Sequence, residues 1–160
     1  MCAKLSIPGS QGNDPDTMIA RLFGVWRLVS TEQRLTDGTR RPSPIYGPTG
    51  VGFLFYSYPN RMRALMADPH RARWKSEDEP TEEELRTTFD HFIAYSGTFE
   101  IDVDGGFLIH HIEIGMVPNE IGESAKRHFQ LEGEQLVLRP ASPLPKGVVE
   151  YTLTWVRVAS

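Results

Sequence analysis

Apolar and polar positions alternate with a period of two along most of this chain, and Gly, Pro, Asn and Asp interrupt the alternation at short intervals. That is the pattern of β-strands joined by turns. Gly24–Ser30 (GVWRLVS) is the first strong strand, followed by a turn at Asp37-Gly38 and a proline-broken connection from Arg41 to Pro48. Gly50–Tyr58 (GVGFLFYSY) and Arg61–Ala67 (RMRALMA) form a hairpin around Tyr58-Pro59-Asn60, with Met62, Ala64 and Met66 opposite Arg61, Arg63 and Leu65. Ile93, Tyr95, Phe99 and Ile101 oppose Ser96, Thr98 and Glu100, and Asp104-Gly105-Gly106 turns the chain into Phe107–Gly115. Lys126–Leu131, Gln135–Arg139 and Val148–Val158 complete a set of eight strands.

Two segments depart from period two. Thr81-Glu82-Glu83-Glu84 reads as a capping box with acidic residues in the first turn, and Leu85, Phe89 and Phe92 supply an apolar stripe. A helix from Thr81 to His91 is therefore expected to lie over the sheet or one mouth. Near the start, Asp16 or Thr17 caps a short helical turn through Met18 and Leu22. Residues 1–15 read as a loose arm, and the polar run from Asp68 to Pro80 as a mobile flap. Eight antiparallel strands without a βαβ rhythm predict a mostly β protein, an up-and-down barrel wide enough for side chains or one small ligand.

The strand Phe107–Gly115 (FLIHHIEIG) carries the most informative chemistry. Successive side chains of a strand face opposite ways, which groups Leu108, His110, Ile112 and Ile114 against Phe107, Ile109, His111 and Glu113. The adjacent histidines cannot serve one site, and His110 is the lone titratable group on the apolar face.

Length and charge narrow the remaining possibilities. The 160 residues suit one domain, here residues 16–160. A net charge of about −4 with interspersed signs gives no footprint for nucleic acid or an anionic membrane. The single cysteine, Cys2, leaves no internal disulfide, and the first twenty residues lack the apolar core of a signal peptide, so a soluble cytoplasmic protein is expected. Five histidines are present, yet there is no HExxH and no paired cysteine; neither a metal nor any other cofactor is expected. The oligomeric state is left open, a homodimer being one option.

The segment FGVWRLVS resembles the Gly-x-Trp signature of lipocalin-type barrels, and TWVRV their closing strand, whose arginine covers that tryptophan. FLFYSYPNRMRALM, FIAYSGTFEI, IHHIEIGMVPNEIG and KRHFQLEGEQLVLRP are similar in order and spacing to the lipocalin-like domain family of bacteria and fungi. The resemblance spans about residues 20 to 158 and implies an eight-stranded calyx. Small barrels of this kind include ligand carriers and cofactor-free enzymes of specialised metabolism.

His110 is the candidate general acid or base, with a structural histidine as the alternative. Arg127 shares a face with Phe129; it either holds a ligand oxygen or pairs with Glu100 or Glu113. Tyr95 and Tyr56 carry hydroxyls suited to orienting a ligand or delivering a proton. His110, Tyr95 and Arg127 form the proposed catalytic set, with Tyr56, Met62, Met66, Phe99, Ile112, Asn119 and Phe129 as ligand contacts. Trp26 and Arg157 are expected to stack at the barrel base. Two functions fit: a cofactor-independent isomerase, cyclase or lyase acting on a small hydrophobic terpenoid- or polyketide-like compound, or a non-catalytic intracellular binding protein for such a molecule.

Overall fold

The computed structural model describes residues 14–141 and 143–158. Most of the expected arm, with Cys2, lies outside them. Helix α1 (Pro15–Leu22) begins earlier than its sequence pattern suggests, because Asp14 is the cap and accepts a hydrogen bond from the Thr17 amide at 3.1 Å. Pro15 follows directly, at a position where a missing N–H costs nothing.

The strands are β1 (Gly24–Leu35), β2 (Arg40–Arg41), β3 (Val51–Ser57), β4 (Arg61–Ala67), β5 (Phe92–Asp102), β6 (Phe107–Gly115), β7 (Ser124–Glu132), β8 (Gln135–Pro140) and β9 (Val148–Arg157). Each pairs antiparallel with its neighbour in the order β2-β1-β3-β4-β5-β6-β7-β8-β9, and β1 also pairs with β9. Eight strands thus close a barrel, and the two-residue β2 is an extra strand on the edge of β1. Closure joins the first and last main strands; β1 pairs with β3 only over Gly24–Arg27, which leaves its later half open to β2 on that side.

The barrel base is plugged by α1. Trp26, fully buried, donates its indole N–H to the Leu22 carbonyl at 2.8 Å. The Arg157 guanidinium lies 4.2 Å from the Trp26 ring and donates to the Phe23 carbonyl at 2.6 Å, so it ties the last strand to the segment entering the first. Gly24, at φ +130°, leaves room for it: a Cβ there would sit 2.8 Å from Arg157 Nη1. Leu54, Tyr56, Met62, Phe99, Leu108 and Leu136 pack with Leu22 of the plug in one core.

The structure corrects two expectations. Ile114 does not share the inner face with Ile112. Ser96 pairs with Ile114 and Gly97 with Ile112, so Glu113 is an extra residue on β6. Such a bulge reverses side-chain parity beyond it, and Ile114 is 66% exposed. A Cβ on Gly97 would lie 1.8 Å from the His111 carbonyl oxygen, so only glycine permits this approach. Helix α2 (Glu82–Asp90) has the expected capping box, with Thr81 and Glu84 satisfying each other's amides. Its stripe is not buried, however: Leu85 and Phe89 are about half exposed, and Phe92 belongs to β5. Polar contacts hold α2 instead, with the Trp74 indole donating to Thr88 at 2.9 Å and the Lys75 amide to Glu84 at 3.0 Å. Among the described residues no helix is long and apolar enough to cross a membrane.

Candidate functional site

The barrel encloses a cavity of about 180 Å³. That is roughly six water volumes, below the usual drug-sized pocket, and it suits a compact ligand. Leu54, Ala64, Met66, Ile93, Ile112, Leu138 and Leu153 give it an apolar wall, and Tyr95, His110 and Arg127 add polar groups on one side. These three stand on β5, β6 and β7, because their positions share the inward parity of their strands.

His110 is fully buried. Its Nε2 lies 2.7 Å from the Tyr56 hydroxyl and its Nδ1 lies 3.0 Å from the Tyr95 hydroxyl. Arg127 Nη2 donates to the Tyr95 hydroxyl at 3.0 Å, and Nη1 donates to the Ala125 carbonyl at 2.9 Å. Burial, with Arg127 and then His111 adding to it, holds the His110 pKa well below the ordinary imidazole value. The ring is therefore neutral and donates from one nitrogen only.

The surroundings of Tyr56 decide which nitrogen that is. Tyr56 has no hydrogen-bond partner besides His110 among the described residues and does not line the cavity. If it accepted from Nε2–H, its own proton would be buried without an acceptor, a cost of about 1–3 kcal/mol. The favoured arrangement has Tyr56 donating to Nε2 and Nδ1–H donating to Tyr95. The Tyr95 oxygen then accepts from both His110 and Arg127, using its two lone pairs. Its own O–H is left to point into the cavity. Burial raises the Tyr95 pKa while Arg127 opposes the rise, and the hydroxyl stays protonated.

The expected ion pair of Arg127 with Glu100 or Glu113 does not form. Both carboxylates lie on the outer face, where Glu113 pairs with Arg61 at 2.7 Å and Glu100 lies 3.4 Å from His111. Among the described residues no carboxylate lies within 4.0 Å of Arg127.

Of the expected ligand contacts, Met66 and Ile112 line the cavity. Tyr56, Met62 and Phe99 pack in the core beneath it, with the Tyr56 and Phe99 rings 4.8 Å apart. Phe129 packs against that core. Asn119 is exposed on the 3-10 turn Pro118–Glu120, and its neighbour Glu120 is the residue that reaches the cavity.

Sequence reasoning missed Tyr46, Tyr151 and Trp155. Trp155 and Tyr151 share the inward parity of β9 with Leu153, a signal present in the alternation of TLTWV. Tyr46 comes from the proline-broken connection, for which periodicity predicts nothing. Folded across the mouth, that loop buries Tyr46 to 2% exposure. His91 Nδ1, at the end of α2, donates to the Ile45 carbonyl at 2.8 Å, and His70 Nε2 lies 2.9 Å from the Thr49 hydroxyl.

An eight-strand antiparallel barrel around an apolar cavity with one polar wall is the architecture of a small-molecule calyx. The chain belongs to the lipocalin-like domain family, which it matches over residues 23–158. One curated relative is the 4'-hydroxy-3'-methoxypropiophenone carrier protein ppsC of Aspergillus oryzae (strain ATCC 42149 / RIB 40). It is 32% identical over 83 residues, which cover 47% of this chain and 75% of the relative. Among solved structures, an asparagine-to-glutamine mutant of the fluorescent protein UnaG aligns with 88% of this chain and 99% of its own, at 11% identity and a TM-score of 0.41. The REP1-NXSQ fatty acid transporter aligns with 88% and 98%, at 13% identity and a TM-score of 0.40.

Proposed function

We propose that this protein is a non-catalytic carrier for a small, largely apolar molecule bearing a hydrogen-bond-accepting oxygen. The observation that carries the reading is the occupancy of His110. Both ring nitrogens already bond to tyrosines, so the imidazole has no free lone pair for a substrate proton. What the polar wall offers is donors, the Tyr95 O–H and the remaining N–H groups of Arg127. Donors fix the orientation of a ligand without transforming it. The carrier role named for the Aspergillus relative supports the same reading.

A cofactor-independent isomerase, cyclase or lyase is the second reading. It is favoured by the continuity of Tyr95, His110 and Tyr56, a chain along which a proton given up by Tyr95 can be replaced. The two readings separate in one experiment. The purified protein is titrated with 4'-hydroxy-3'-methoxypropiophenone while tryptophan emission is followed, since Trp155 stands in the cavity wall. The mixture is then incubated for hours and analysed by mass spectrometry and NMR in deuterated buffer. Saturable quenching with the ketone recovered unchanged and undeuterated is expected. Conversion, or protein-dependent exchange of its α-hydrogens, would replace the carrier with the enzyme.

A further inference from the structure

The hydrogen-bond inventory of the cavity is one-sided. Tyr95 presents a donor, its oxygen being taken up by His110 and Arg127. Arg127 uses two of its five N–H groups in the bonds to Tyr95 and Ala125. Trp155 lines the wall, but its indole N–H is buried away from the cavity surface. The Tyr151 hydroxyl approaches Ser43 without reaching hydrogen-bond geometry. Against these donors stands one carboxylate, Glu120, exposed on the turn at the cavity's edge.

The charge inventory points the same way. The cavity wall holds one permanent cation, Arg127, half-buried and without a carboxylate within 4.0 Å among the described residues. A guanidinium in an apolar wall is matched best by an anionic oxygen, whose bonds to N–H donors are roughly twice as strong as neutral ones. The groups facing that position are Arg127 from β7, Tyr95 from β5, His110 from β6, Tyr46 from the mouth loop and Glu120 from the 3-10 turn. His110 contributes no charge, so Arg127 sets the sign and Glu120 opposes it from the edge.

We propose that the cavity takes its ligand as an anion, with a phenolate or carboxylate oxygen held between the Tyr95 hydroxyl and the Arg127 guanidinium. The inference rests on the carrier reading and specifies the ligand's chemical class and protonation state. Binding the anion in preference to the neutral acid lowers the apparent pKa of the bound ligand. The site therefore separates compounds that differ only in an ionisable proton.

The test compares matched probes by calorimetry at pH 6.5 and 8.5: 4-hydroxypropiophenone with its methyl ether, and 4-propylbenzoate with 4-propylbenzamide. The absorbance of the bound phenol reports its ionisation. The expected result is a phenolate spectrum at a pH where the free phenol is neutral. Its affinity should rise by up to tenfold per pH unit below the free phenol's pKa, while the methyl ether shows no pH dependence. Arg127→Met should remove the phenolate spectrum and abolish the rise of phenol affinity with pH; Glu120→Gln should strengthen anion binding several-fold. A neutral bound phenol together with benzoate binding at least tenfold tighter than benzamide identifies a carboxylate as the natural anion. A neutral phenol with no preference for benzoate overturns the inference and leaves the carrier reading intact. If none of the four probes binds, the carrier reading falls with it.

Discussion

The Tyr95 hydroxyl meets His110 Nδ1 at 3.0 Å although the two residues are not partners in the sheet: His110 pairs with Phe99, and Tyr95 pairs with Gly115. The contact spans the barrel interior along the strand direction and joins the cavity to the core at Tyr56. It leaves the Tyr95 hydroxyl proton directed at the cavity while both nitrogens of the ring are satisfied.

Replacing Tyr95 with Phe removes the donor and leaves His110 Nδ1–H without an acceptor. Stability should fall by about 1–3 kcal/mol, and affinity for an oxygenated ligand by roughly tenfold, corresponding to a hydrogen bond of about 1.4 kcal/mol. Urea denaturation and calorimetry check the two effects separately. An unchanged affinity in a folded variant would remove Tyr95 from the site.

The depressed pKa of His110 has a defined sign in stability. Above about pH 6.5, both folded and unfolded imidazoles are neutral and the pH has no effect through this group. As pH falls below the unfolded value, the unfolded chain gains a proton that the folded chain does not, and stability is lost until the folded pKa is reached. Relative to His110→Gln, the wild type should lose up to about 1.4 kcal/mol of stability per pH unit in that window. Parallel pH dependences of the two proteins between pH 7.5 and 5.5 would show that His110 is not held neutral.

At the base, Trp26→Ala should cost about 3–5 kcal/mol, through the cavity left in the plug and the loss of the Arg157 stack. Thermal melting measures it. A variant that melts like the wild type but no longer binds ligand would place Trp26 in the site rather than in the plug.

Gly97→Ala forces a Cβ against the His111 carbonyl. The strand pair β5–β6 must move apart there, and a loss of about 1–3 kcal/mol is expected. The shift would also disturb Tyr95 and His110, which flank the bulge. Ligand affinity should therefore fall together with the melting temperature, and retention of both would show that the approach relaxes freely.

His91→Ala deletes the hydrogen bond to Ile45 that holds the mouth loop. A net loss of about 1 kcal/mol in the closed state should speed ligand release about fivefold, as read by stopped-flow fluorescence. If the release rate does not change, the ligand leaves by another route.

The alternation of apolar and polar residues determined most of the barrel, because a closed antiparallel sheet with a solvated outside imposes period two on every strand. It put His110, Tyr95 and Arg127 on inward faces, and the capping box announced α2. Periodicity carries no information on what leaves it, so the bulge at Glu113 and the exposed Ile114 were hidden, as was the failure of Leu85 and Phe89 to find a covering surface. Parity also gives no depth. That Tyr56 bonds to His110 while Phe99 and Met62 lie beneath the cavity depends on how the strands stagger around the barrel. Tyr46 and the mouth loop were decided by tertiary structure alone: the sequence between Arg41 and Pro48 specifies a turn-rich path, and only the closed barrel supplies His91, Thr31 and the cavity rim that determine where that path settles.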